Sequence, residues 1–110
     1  MLYQNTNPSQ AVEYATQGLD LSQKTGDENG VSICLNSLGT AYYNLGNFDA
    51  ALDCFEKRFY LTAKIRDTLG IAGSMDNIST VLVHKGELDK ALDLRRKSNE
   101  IYLNIGDLVP

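Results

Sequence analysis

LGTAYYNLGNFDAALDCF, residues 38–55, carries the end of one amphipathic helix, a turn and the start of another. Upstream and into this stretch, Val31, Leu35, Leu38, Tyr42 and Leu45 recur at steps of three and four, the spacing of a single helical face. Gly46 ends that helix and suits the left-handed C-terminal position. Asn47 can cap the next helix. There Phe48, Ala51, Leu52, Phe55, Phe59 and Leu61 or Thr62 form the predicted buried stripe.

Working outward, the pattern returns at a fixed interval along the whole chain. Gly26-Asp27, Arg66-Asp67 and Gly106-Asp107 are in register, as are Ala11, Ala51 and Ala91. Gly30-Val31 returns as Gly70-Ile71, and Gly46 as Gly86. Residues 31–70 and 71–110 share nine identities, among them Thr40/Thr80, Asp49/Asp89, Leu52/Leu92 and Asp53/Asp93. A fixed period of this length points to stacked supersecondary units, each burying its neighbour's apolar face.

Five helices are predicted and no strand. The first runs from about Pro8 to Lys24, with Asn7 as cap and Ala11, Val12, Ala15, Leu19 and Leu21 on one side. The second opens at Asp27 and the third at Asn47. Asp67 opens the fourth, with Ile71, Met75, Ile78, Val81 and Leu82 inward. The fifth runs from about Leu88 to Ile105 and uses Leu88, Ala91, Leu92 and Tyr102. Short links require sequential helices to lie antiparallel.

The chain has 110 residues, the size of one domain, with 43% hydrophobic and 22% charged residues and a formal net charge of -4. Acidic and basic residues intermix. The one dense basic run, Arg95-Arg96-Lys97, reads as a solvated helix face, so no nucleic-acid partner is expected. No apolar stretch approaches the ~20 residues that cross a bilayer, and Met1 to Gln10 lacks the pattern of a signal peptide. The expectation is a cytoplasmic chain without a membrane partner. Cys34 and Cys54 lack metal-type spacing and read as packed thiols. Asn77-Ile78-Ser79 matches a glycosylation acceptor but sits inside a helical pattern.

Leu35, Leu38-Gly39, Tyr42, Gly46, Phe48, Ala51 and Phe55 resemble the tetratricopeptide repeat, whose pattern is large–x–x–Leu–Gly–x–x–Tyr, a turn glycine, then alanine and an aromatic. The resemblance puts small Gly39 and Ala51 where helix backbones approach, and Tyr42, Phe48 and Phe55 in the space between helices. A third unit keeps Met75, Ile78, Leu82, Gly86, Leu88 and Ala91, but carries Ser79 for the glycine, Arg95 for the aromatic and Ser98 for a small apolar residue. The chain thus reads as about two and a half repeats: residues 8–25 as the second helix of a partial unit, then 27–65 and 67–106. The period of 40 exceeds the 34 of the common form and is similar to the repeats of kinesin light chains, LGN/Pins adaptors and bacterial regulators. The implied fold is all-α, antiparallel hairpins in a right-handed superhelix, with a concave face that binds a peptide.

In that family the first helix of each pair lines the groove. The positions map onto Ile33, Asn36, Ser37, Thr40, Tyr43 and Asn44, then Gly73, Asp76, Asn77, Thr80, Val83 and His84. Asn77 matches an asparagine whose amide both donates to and accepts from a peptide backbone; Ser37 stands at its counterpart. No mapped position is basic, which argues against the carboxylate-holding mode of chaperone-binding members and favours uncharged or mildly basic peptides. No catalytic, cofactor or metal site is expected, because the one histidine lacks convergent partners. The alternative is an array that self-associates through exposed terminal helix faces into a homo-oligomer. Arg95, Ser98 and Asn99 argue that the fifth helix already serves as an end cap.

Overall fold

The structure is a computed structural model and describes residues 7–107. Helices α1 (Pro8–Thr25), α2 (Glu28–Asn44), α3 (Phe48–Lys64), α4 (Thr68–His84) and α5 (Leu88–Asp107) follow one another, with no strand among the described residues. The all-α expectation holds.

One turn recurs four times. The amide N–H groups of Asp27, Asn47, Asp67 and Glu87 donate to the carbonyls of Ser22, Tyr42, Thr62 and Leu82, at 2.9, 2.9, 2.8 and 2.9 Å. This is the six-to-one bond of a Schellman ending, which needs a left-handed residue just before it. Gly26, Gly46 and Gly86 supply it, and the fourth place is held by Arg66 at φ 59°. The next helix then begins at once. Asn7, Asp27, Asn47 and Asp67 each accept, through the side chain, the N–H three residues on, at 2.9, 2.9, 3.3 and 3.0 Å. At Asp27 and Asp67 the recipient is a glycine, and a β-carbon on Gly30 or Gly70 would come within 3.0 Å of the capping carboxylate. That explains why those glycines return with the period. Asp27→Ala and Asp67→Ala are each expected to cost about 1 kcal/mol. The check is a lower urea midpoint at unchanged slope; unmoved midpoints would remove the caps from the account.

Links of two or three residues turn the chain straight back. Each helix packs on its neighbours in sequence: α1 on α2, α2 on α3, α3 on α4, and α4 on α5. The core is correspondingly drawn out into two linked clusters. Ala15, Leu38 and Cys54 form one, with Val12 and Leu19 against it. Ala51, Phe55, Ile78, Val81, Leu82 and Ala91 form the other, and Tyr42 touches both. Burial raises the Cys54 thiol above its usual range, with Asp53 adding to the effect. Between Leu61 and Thr62, it is Thr62 that is fully buried, its hydroxyl donating to the Arg58 and Phe59 carbonyls of its own helix.

Some assigned stripe residues face outward. Leu21, Leu45 and Tyr102 are exposed, as are Leu88 at 56% and Leu92 at 63%. The reason is positional. Phe48 and Leu52, which precede Leu88 and Leu92 by one period, pack against the core that α4 completes. Among the described residues no helix lies beyond α5 to do the same for its own pair. The polar cap expected there is also revised. Ser98 is fully buried and donates to Asp76 on α4, while the end face itself is an apolar cleft of 380 Å³ lined by Ser79, Val83, Leu88, Ala91, Leu92 and Arg95.

Candidate functional site

Helices α2 and α4 stand one full period apart, and their side chains meet in two rungs. Asn77 Nδ2 donates to Asn36 Oδ1 at 2.8 Å. Two turns along, Tyr43 Oη and His84 Nε2 share a 2.6 Å hydrogen bond. The His84 ring also stacks on Phe48, at a centroid distance of 5.1 Å and an angle of 16°. Between the rungs lies a cleft of 200 Å³ lined by Thr40, Tyr43, Asn44, Phe55, Asn77 and Thr80.

This cleft collects five of the nine assigned residues. The threonine hydroxyls are engaged from behind: Thr40 donates to the Asn36 carbonyl at 2.9 Å and Thr80 to the Asp76 carbonyl at 3.0 Å. What they offer a ligand is therefore lone pairs. Asn77 keeps its carbonyl oxygen and one N–H for a ligand, the other N–H being committed to Asn36. Asn36 lies half-buried beneath the rung. The remaining three sit apart from the cleft. Ser37 is exposed and lines no part of it. Asp76 accepts from Ser98 Oγ and lies 3.6 Å from Arg95 Nε. His84 opens on a second hollow, of 410 Å³, with Gly46, Asn47, Phe48, Asp49 and Lys85; Lys85 is ion-paired to Asp49 there.

One residue of this surface escaped the sequence reading. Arg58 belongs to α3, a second helix, yet its side chain passes toward α2 and α4. Nε donates to Ser32 Oγ and Nη1 to Asn36 Oδ1, both at 3.4 Å. Nη1 would also lie 3.4 Å from a β-carbon on Gly73 of α4. The signal was present in the period: Gly18 and Ser98 flank Arg58 one period away on either side, so a slot that is small elsewhere holds a guanidinium. Burial pushes Arg58 below its usual range, opposed by the charges of Asp67 and Tyr102.

Within one hairpin, Gly39 on α2 faces Phe55 on α3 so closely that a β-carbon would sit 2.6 Å from Cε1. Glycine against an aromatic ring, followed by a glycine turn at Gly46, is the arrangement the motif demands. The tetratricopeptide repeat profile matches residues 32–57, which span this contact. Residues 32–57 are thus similar to the tetratricopeptide repeat. The chain is also similar to tetratricopeptide repeat protein 29 of Trypanosoma brucei brucei (strain 927/4 GUTat10.1), at 33% identity over 60 residues. That alignment takes in 54% of this chain and 12% of the relative, so the chain spans a small part of that protein's length.

The following hairpin departs from the tetratricopeptide pattern in a coordinated way. With Arg95 in place of the ring, the small position tolerates Ser79, whose hydroxyl donates to the Ala91 carbonyl at 3.0 Å. Arg95 turns away toward Asp76 and Thr80. Tetratricopeptide repeats typically act as protein-interaction modules without enzyme activity. No helix among the described residues is long and apolar enough to cross a membrane.

Proposed function

We propose that this array binds an extended peptide segment of a partner protein along the face formed by α2 and α4, within a cytoplasmic regulatory or scaffold protein. The observation that supports this reading is the cleft between the Asn36–Asn77 and Tyr43–His84 rungs. It is open, walled by the Tyr43 and Phe55 rings, and edged by the amides of Asn44 and Asn77 and by the threonine hydroxyls of Thr40 and Thr80, which keep lone pairs free to accept. An extended backbone presents alternating N–H and C=O groups, which asparagine amides match on both counts. Asn77→Ala and Tyr43→Ala are each expected to weaken a bound peptide by roughly tenfold or more, the effect of losing a central polar or aromatic anchor. Peptides selected from a random dodecamer display library supply the ligand, and fluorescence anisotropy the affinity. Equal binding by wild type and both variants would remove the cleft from the account.

A second reading is favoured by the apolar end face. Val83, Leu88 and Leu92 follow Tyr43, Phe48 and Leu52 by one period, and those three pack against the core between the hairpins. A helix of a second copy seated there would make a homo-oligomer. Light scattering across a concentration series separates the readings: a dimer abolished by Leu92→Lys, with peptide binding retained, assigns the end face to self-association.

A further inference from the structure

We propose that the array has a second docking surface, on the side of α4 away from the groove, for a short amphipathic helix of a partner protein. That helix carries two large apolar anchors about two turns apart, with a lysine or arginine between them. The surface shares no residue with the groove and stands independently of the peptide-binding reading above.

The faces of α4 separate the two surfaces. At about 3.6 residues per turn, Met75, Ile78 and Leu82 lie roughly half a turn round the helix from Asn77, Thr80 and His84. Their side is flanked by α3 and α5, which both pack on α4. Two clefts open along this channel. One, of 390 Å³, has Leu52, Ile78, Leu82 and Leu94 as its apolar lining. The other, of 170 Å³, has Phe59, Tyr60, Met75, Ile78 and Leu94. Glu56 lines both, so the clefts adjoin at Ile78, Leu94 and that carboxylate. Each cleft marks a departure from the period. Leu82 stands one period after Tyr42, whose ring packs against the cluster of Ala15, Leu38 and Cys54. A leucine does not reach as far as that ring, and the corresponding place is open as the larger cleft. Tyr60 stands where the flanking units have Asp20 and Glu100; it is 70% exposed and lies edge-on to Phe59 at 5.4 Å. Met75 beside it is half-buried, and a thioether adapts its shape to what it meets.

Charge and backbone chemistry decide the occupant. The clefts are lined by three carboxylates, Glu56, Glu87 and Asp93, against one base, Lys90. Lys90 is held by Glu87 at 3.0 Å, and Asp93 by Lys97 and Arg96 at 3.1 and 3.7 Å. Glu56 is exposed and, among the described residues, has no basic group within 4 Å. It sits midway along the channel: Leu52, Glu56 and Tyr60 follow at steps of four on α3, roughly 12 Å from first to last. A lysine or arginine over Glu56, with an apolar side chain in the cleft on either side, complements that order of groups. An extended segment would lay unpaired backbone N–H and C=O groups against the apolar walls, whereas a helix satisfies its own. Helical side chains recur at the same interval as those of α3. Anchors seven residues apart with a base three or four after the first therefore meet both clefts and the carboxylate together.

The test selects from a library of helix-forming peptides about 15 residues long, randomised on one face, using wild type. Fluorescence anisotropy then compares wild type, Leu82→Tyr, Glu56→Lys and Tyr43→Ala. Leu82→Tyr installs the ring of the preceding unit and fills the larger cleft. Glu56→Lys changes an exposed side chain, so it decides the matter even where Leu82→Tyr fails to fold; circular dichroism checks both. The expected result is that wild type enriches the pattern of two apolar anchors with a base between them. Leu82→Tyr and Glu56→Lys should each weaken such a peptide roughly tenfold or more. Replacing the peptide's base by glutamate should restore most of the affinity for Glu56→Lys while weakening binding to wild type. Tyr43→Ala, in the groove, should bind as wild type does. Peptides enriched without a basic residue, and bound equally by Glu56→Lys, would overturn the proposal. Binding lost in Tyr43→Ala and kept in Glu56→Lys would also overturn it, by placing the helix in the groove. A wild-type dimer in light scattering that Glu56→Lys dissolves would do the same, by making a second copy the occupant. Enrichment of no helical peptide by folded wild type would remove the surface and leave the groove reading to its own test.

Discussion

Phe55→Ala is expected to lower stability by about 3–5 kcal/mol, the usual cost of emptying a phenylalanine site in a packed core. Phe55 is 3% exposed and sits in the cluster shared by Ala51, Ile78, Val81 and Leu82, so its ring is packed by its own helix and by α4 while abutting Gly39 of α2. It joins the two hairpins as well as filling one of them. In a linear array stability is a sum of unit and nearest-neighbour terms, so weakening this interface should also uncouple the units. Net stabilities of domains are only about 5–15 kcal/mol. The variant should therefore show a large fall in urea midpoint and a broader transition. A loss below about 1 kcal/mol would mean that the hairpins are held together elsewhere.

Gly39→Ala tests the same contact from the other side. Two effects compete. Alanine improves helix propensity by about 1 kcal/mol, but its methyl group would come to 2.6, 2.8 and 2.9 Å from three atoms of the Phe55 ring. A buried ring cannot swing aside as a surface side chain can, and overpacking typically costs about 1–3 kcal/mol. The expected net result is a loss of about 1–2 kcal/mol after the propensity gain is subtracted. Phe55→Leu in the same chain should recover part of it. Gly73→Ala is the control: its nearest neighbour would be 3.4 Å away, at Arg58 Nη1, and the substitution should gain about 0.4–1 kcal/mol. If Gly39→Ala were as stabilising as Gly73→Ala, close approach to the ring would not be the reason for glycine at 39.

Local chemistry made the hairpins readable. The caps at Asn7, Asp27, Asn47 and Asp67, and the left-handed turns at Gly46 and Gly86, depend on near neighbours in the chain, so the residue types alone predict them. Arg66 was harder, because nothing in an arginine announces a positive φ; only its alignment with Gly26 does. Periodicity also carried the stacking order, since each hairpin must hide an apolar face against the next.

Amphipathic spacing names a helix's apolar face but not whether a neighbour covers it. Leu88 and Leu92 continue the stripe of Phe48 and Leu52 and are exposed all the same, because covering depends on what lies beyond α5. The groove shows the same limit more sharply. Asn36 and Asn77, and Tyr43 and His84, lie on different repeats, and their hydrogen bonds exist only once α2 and α4 stand side by side. Arg58 reaches that face from a different helix, across a gap left by Gly73. The repeat by itself determined the helices, their turns and their succession, because those follow from short-range bonding and burial of one face. Tertiary structure alone decided which polar atoms converge, because a long side chain can cross between helices and its destination is set by the space its neighbours leave.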